Sequence, residues 1–282
     1  MIKRYIATMV LIALAGAVSA SDSKKAKPDE RVVYKTAGNA TLKLHIFKPE
    51  GHKSSDKRPA IIFFFGGGWV SGSPSQFYRQ CDDLASRGMV AISAEYRVKS
   101  RHETTPKECV MDGKSAIRWV REHAKELGID PNKLAAGGGS AGGHVAAAAA
   151  MVDDFEDTSD NRRISCRPDA LVLFNPVYDN GPGGYGHNKV KGYWEEISPM
   201  HNISRETPPT IVFLGTKDKF VSVKTAEEYK RRMEKKGRRC DLHLYEGQGH
   251  GFFNNKNNYT QTFIEMDRFL ESLGFLTGEP TL

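Results

Sequence analysis

The chemistry of this chain concentrates in a few glycine-rich stretches. Gly138-Gly139-Ser140-Ala141-Gly142 spells G-x-S-x-G between a short apolar run and an alanine-rich one. Only a very tight turn from strand to helix needs glycines on both sides of a serine, and such a turn leaves the hydroxyl projecting above the sheet. A serine hydroxyl is a weak nucleophile until a base takes its proton, usually a histidine held in one tautomer by a carboxylate. Of the nine histidines, His250 in Gly249-His250-Gly251-Phe252 follows the last apolar strand run on a glycine-rich loop, where an imidazole can swing over a neighbouring strand end. His243 falls within a strand pattern and His123 within a helical one, and the helix after Ser140 carries His144 away from the hydroxyl. Asp218 follows the apolar run 210–214 through Gly215-Thr216-Lys217, which places a carboxylate at the strand end; Glu246, after the next strand, is the alternative. The chain order is Ser140, Asp218, His250, the order that a serine turn and strand-end partners of this kind require.

Two further features complete or compete with this reading. Gly66-Gly67-Gly68-Trp69 follows the apolar run 60–65, and bare backbone amides there, with the amide of Ala141, suit a developing oxyanion. The letters Gly137, Gly139 and Gly142 also satisfy G-x-G-x-x-G, but a dinucleotide site wants an acid ending a second strand about 20 residues on, and an acidic loop stands there instead. Gly113-Lys114-Ser115 imitates the end of a phosphate loop inside a helical pattern, with Glu108 where the first glycine belongs.

The elements that must position these residues alternate along the chain. Two period-2 segments, 31–36 and 41–48, flank Gly38-Asn39 as a hairpin; buried strands are expected over 60–65, 89–96, 134–138, 170–174 and 210–214, with the last strand over 241–246. Helices are expected over 76–87, from Thr105-Pro106 to Gly128, over 144–152, over 224–236 and over 260–273. That alternation predicts an α/β fold, a mostly parallel eight-stranded sheet with helices on both faces. The chain has 282 residues and a formal charge of +7, without blocks of like charge, which suits one globular catalytic domain over 31–282 and gives no sign of a nucleic-acid partner.

The ordered set F-G-G-G-W, G-G-S-A-G-G, G-T-K-D and G-H-G-F resembles the α/β-hydrolase superfamily, and within it the hormone-sensitive-lipase-like esterases and the secreted acetyl- and feruloyl-esterase type, over nearly all of 31–273. The resemblance implies Ser140 as nucleophile, His250 as base, Asp218 as its carboxylate, and Gly67, Gly68 and Ala141 as oxyanion donors. Two departures stand out. Phe65 replaces the histidine that usually opens the first motif, so the loop's orientation must come from elsewhere. Only about ten polar residues precede the first strand, which leaves no helical cap and implies an open site for short acyl groups or bulky polar alcohols.

The long connection 175–209 holds Tyr178, Tyr185, Tyr193 and Trp194. With Trp69, the residues Tyr178, Tyr185 and Trp194 are candidate surfaces for a sugar ring. Residues 1–20 read as a signal peptide, with Lys3 and Arg4 before an apolar run and Val18-Ser19-Ala20 at the cleavage site; 21–30 is a polar leader. Together these point to a secreted or periplasmic esterase, without stable membrane insertion, acting on acetyl or feruloyl esters of polysaccharides or on small esters. No metal or cofactor motif is present. The four cysteines allow three full pairings and the sequence selects none. The rivals are a serine peptidase of the prolyl-oligopeptidase type, which needs a gating domain this length cannot hold, and a non-catalytic binding protein on the same fold.

Overall fold

β3 (Arg58–Phe64) shows how the layers arise. Its side chains alternate between two apolar layers: Ile61 and Phe63 join one, Ala60, Ile62 and Phe64 the other. Both faces of the strand are therefore buried, which is why the sequence there is a continuous apolar run. The computed structural model describes residues 26–281; the signal peptide expected over 1–20 and the first part of the expected polar leader lie outside the described residues.

Eight strands form one sheet in the order β1-β2-β4-β3-β5-β6-β7-β8. β1 (Glu30–Ala37) and β2 (Ala40–Phe47) make the antiparallel hairpin, and β2 is antiparallel to β4 (Val90–Ala94). From β4 onward the neighbours are parallel: β3, β5 (Ile129–Gly139), β6 (Ala170–Phe174), β7 (Thr210–Gly215) and β8 (Cys240–Tyr245). α1 (Tyr78–Ser86) packs on one face, and so does the C-terminal helix, whose buried side chains include Phe263, Met266 and Leu270. The short α2 (Lys99–His102) follows β4. α3 (Pro106–Glu122) and α4 (Ala141–Met151) cover the other face. Within the connection after β6 lie two four-residue helices, α5 (His187–Val190) and α6 (Trp194–Ile197). α7 (Val223–Lys235) joins the α3/α4 layer, and α8 (Lys256–Ser272) is the C-terminal helix just described.

Some boundaries differ from the sequence reading. The segment expected as helix 76–87 opens with a 3-10 turn, Pro74–Phe77. α3 starts where Thr105 and Glu108 form a capping box but stops at Glu122, six residues short of Gly128. α4 starts three residues earlier than the alanine run implied, because Gly142 and Gly143, poor helix formers in isolation, are held against the ends of β3 and β5 and against Pro176. α8 likewise begins at Lys256 rather than residue 260. All four cysteines are buried and free, and burial pushes the Cys240 thiol up to about 12.

The parallel order reverses direction between β3 and β5: β3 leads sideways to β4, and β5 then pairs on β3's opposite edge. A crevice opens at the C-terminal ends of strands at such a switch point. On the β1 side of the sheet, α3 is anchored electrostatically. Asp112 of α3, fully buried, accepts hydrogen bonds from the Arg97 backbone and guanidinium and pairs with Lys35 of β1 at 2.9 Å. Removing one member of a buried ion group strands the others without solvent, so Asp112→Ala is expected to lower the unfolding free energy by about 3–5 kcal/mol, read from urea denaturation at pH 7. A loss below about 1 kcal/mol, the range of exposed pairs, contradicts this anchoring.

Candidate active site

Ser140 occupies the turn between β5 and α4 with φ 54° and ψ −118°, a backbone state that non-glycine residues seldom adopt. The flanking glycines have a steric cause. A Cβ on Gly138 would lie 2.5 Å from the Gly142 carbonyl carbon, and one on Gly142 only 2.0 Å from the Phe64 carbonyl oxygen. The Ser140 amide is taken up by the Phe174 carbonyl at 2.9 Å, which ties the turn to β6.

The other residues come from the ends of successive strands. His250 Nε2 lies 2.9 Å from Ser140 Oγ, and His250 Nδ1 lies 2.7 Å from Asp218 Oδ2. Asp218 follows β7 and its side chain has no exposure, while His250 follows β8 and is partly exposed. Burial opposes ionisation of Asp218, but the hydrogen bond from His250 and those from the Phe220 and Val221 amides outweigh it, and the carboxyl lies below its usual range. An ionised Asp218 accepts from Nδ1–H, which leaves Nε2 with a lone pair toward the serine. Glu246, the alternative carboxylate, is exposed at the sheet edge.

Gly66, Gly67 and Gly68 follow β3 directly beside Ser140: a Cβ on Gly66 would sit 3.3 Å from Ser140 Cβ. Gly67 has φ +135°, and a side chain there would collide with the Ser71 carbonyl oxygen at 2.1 Å. Among the described residues, no acceptor takes up the amides of Gly67, Gly68 or Ala141, so all three remain available to a ligand oxygen. Phe65, standing where a histidine was looked for, stacks on Tyr96 at 4.2 Å. The loop is oriented instead by Gln76, whose Oε1 accepts from the Gly66 amide at 2.6 Å, and by the Tyr96 hydroxyl donating to the Phe65 carbonyl.

A cleft of about 320 Å³ opens over Ser140, lined by the glycine loop and by Asn175, Tyr185, Lys189, Phe220, His250 and Phe253. Of the aromatic candidates for substrate contact, only Tyr185 reaches it. Trp69 is buried behind the loop, with Nε1 donating to His144 Nδ1 at 3.3 Å. Tyr178 is stacked inside the core on Tyr229 at 4.4 Å, and Trp194 packs edge-on against His201. The connection folds back over α4 and α7 and spends these rings on its own packing. Tyr193 likewise leans on Phe155, with the Lys107 ammonium over its ring.

Asn175 escaped the sequence reading because a single polar residue after a strand carries no motif. It is buried at the end of β6 with φ +36°, its Oδ1 accepts from the Gly251 amide at 3.0 Å, and its Nδ2 lies 3.5 Å from His250 Nε2. It therefore holds the histidine loop from the side opposite Asp218. Among the described residues, no cluster of three His, Cys, Asp or Glu side chains could hold a metal ion, and no helix is long and apolar enough to cross a membrane.

Residues 61–254 match the family described as alpha/beta hydrolase fold. The chain belongs to the α/β-hydrolase family. A solved structure of Thermogutta terrifontis esterase 2 phosphorylated by paraoxon is 47% identical, with TM-score 0.85, covering 89% of this chain and 96% of that one. The propionate-bound structure of the same esterase is 46% identical over the same shares, with TM-score 0.84. Among curated proteins, Esterase LipC of Mycobacterium tuberculosis is 31% identical over 215 residues, 69% of this chain and 53% of its own. The chain spans between a quarter and about half the length of such curated relatives.

In this α/β-hydrolase, His144 ties the 66–69 glycine loop to the connection. It is fully buried, accepts from Trp69 and donates from Nε2 to the Ile197 carbonyl at 3.1 Å, and burial pushes its pKa from 6.5 down to about 4. The unfolded chain takes up this proton below pH 6.5, the folded chain only near pH 4. Stability is therefore complete above pH 6.5 and falls toward pH 4, by roughly 3 kcal/mol from this group at about 1.4 kcal/mol per unit. Denaturant titrations from pH 7 to 4 should show a flatter decline for His144→Gln than for wild type; equal slopes contradict the assignment.

Proposed function

We propose that the chain is a serine carboxylesterase. The observation that carries the reading is the continuous relay Asp218–His250–Ser140, with hydrogen bonds of 2.7 and 2.9 Å, beside three unengaged amides. Ser140 Oγ attacks the ester carbonyl while His250 Nε2 takes its proton, and Asp218 stabilises the imidazolium. The carbonyl oxygen gains charge next to the amides of Gly67, Gly68 and Ala141, each worth on the order of 3 kcal/mol in such sites. His250 returns the proton to the leaving alcohol, giving an acyl-enzyme. Water, deprotonated by the same histidine, then releases the acid and restores the serine.

The acyl group in this proposal is short. The cleft is small, with Phe253 among its lining residues, and the esterase of Thermogutta terrifontis described above has been seen with propionate and with butyrate bound. Acetyl and feruloyl esters of polysaccharides stay within the proposal on narrower grounds. Tyr185 alone of the aromatic candidates can meet a sugar ring, and the mouth is open enough for a bulky alcohol. Secretion through residues 1–20 belongs to the same proposal and predicts a mature N-terminus near Ser21, which N-terminal sequencing of the exported protein checks.

p-Nitrophenyl acetate and butyrate should be turned over much faster than the decanoate, and a dipeptide amide hardly at all. Ser140→Ala is expected to lose at least about a thousandfold in kcat with its fold intact by circular dichroism. Retention of most activity removes Ser140 as nucleophile. Asn175→Ala, which frees the His250 loop, should lower kcat about tenfold with little change in KM, a misplaced group of this kind costing up to about a hundredfold; an unchanged kcat shows that Asn175 does not position the histidine.

A further inference from the structure

Lys189 is, among the described residues, the sole Lys, Arg, Asp or Glu side chain lining the Ser140 cleft. It rises from α5, and its Nζ donates to the Gly68 carbonyl at 2.9 Å. Its ammonium lies 5.6 and 6.0 Å from the ring centroids of Trp69 and Tyr185. The position a Cβ of Gly68 would take is 3.0 Å from the Tyr185 hydroxyl and 3.9 Å from Lys189 Nζ, so both side chains close over this one residue of the loop. Partial burial pulls the Lys189 ammonium below its usual pKa, and the neighbouring cation Lys99 adds to this against a smaller opposing effect of Cys109. An ammonium has three N–H donors. One is spent on Gly68, which leaves two for a ligand.

The chemistry this position recognises is anionic. The Gly68 amide, an oxyanion donor, and the carbonyl that Lys189 holds belong to one residue and so lie within about 3.5 Å of each other. An ester whose carbonyl oxygen sits at that amide therefore brings a group two or three carbons away to the ammonium. We propose that Lys189 is a specificity-determining residue selecting esters that carry a carboxylate two or three carbons from the scissile carbonyl. The inference rests on the esterase reading for its reaction, and on the lysine alone for its charge preference. An accessible ammonium in water contributes modestly to such a pair, and its contribution falls as salt screens it.

The test compares mono-p-nitrophenyl succinate with the nearly isosteric neutral p-nitrophenyl butyrate, and 2-acetoxybenzoate with phenyl acetate, so that the carboxylate is placed in turn on the acyl and the alcohol side. Wild type, Lys189→Met and Lys189→Glu are assayed at low and high salt. Any loosening of Gly68 acts on both members of a pair, so the anionic-to-neutral ratio of kcat/KM isolates the charge. In at least one pair that ratio is expected to fall three- to fivefold in Lys189→Met and about tenfold or more in Lys189→Glu, chiefly through KM, with the difference shrinking at high salt. Ratios unchanged in both variants overturn the proposal. Equilibrium binding of mono-p-nitrophenyl succinate to Ser140→Ala, with and without Lys189→Met, separates the two readings. Weaker binding in the double variant upholds Lys189 even if no ester is turned over, whereas normal turnover of neutral esters with unchanged ratios upholds the esterase and removes the lysine.

Discussion

Gly142 has no room for a side chain, because a methyl group there would lie 2.0 Å from the Phe64 carbonyl oxygen. The first turn of α4 must press this closely on the end of β3 for Ser140 to stand between the two with a positive φ, its hydroxyl clear of the sheet. Strain of this kind costs of order 1–3 kcal/mol and persists where the surroundings over-determine it. Here those surroundings are the Phe174 carbonyl on the Ser140 amide, the His144 amide on the Ser140 carbonyl, and an alanine-rich helix buried along its whole length. The glycine loop 66–68 lies beside the serine because β3 and β5 are neighbours in the sheet.

The remaining groups arrive by repetition of one device, a strand ending at the same rim. β6 delivers Asn175, β7 Asp218 and β8 the loop bearing His250. The ring of His250 is then fixed by hydrogen bonds to Asp218 and Ser140, by the edge-on Phe220 at 4.9 Å, and by Asn175 holding its neighbour Gly251. Phe220 is more than half exposed and is one of few large apolar side chains left in water. Its exposed ring lies against the imidazole at the mouth of the cleft.

What could be read from the residues divides along physical lines. Runs such as 60–65, 170–174 and 210–214 announce strands because both faces of a central strand are buried. The elbow announces itself because only glycine fits on either side of Ser140, and Asp218 and His250 follow from their places just after strands. The connection 175–209 was opaque for the opposite reason. Its helices are four residues long, too short to show a period, and nothing in the spacing of Tyr178, Tyr185, Tyr193 and Trp194 tells which ring faces the cleft and which faces α4 or α7. Trp69 sits next to the oxyanion glycines in sequence, yet its positive φ turns it into the core against His144. Asn175 and Lys189 carry no motif at all, and only the assembled sheet puts them on the wall of the site.

The account reduces to a claim about one oxygen atom, that Ser140 Oγ is made nucleophilic by the imidazole behind it. The direct measurement is peptide mapping by mass spectrometry after brief exposure to an organophosphate ester such as paraoxon. The account predicts a single diethylphosphoryl group on Ser140, formed in step with loss of ester turnover and absent when His250 is replaced by alanine. Label on a different residue, or full loss of turnover with Ser140 unmodified, contradicts it.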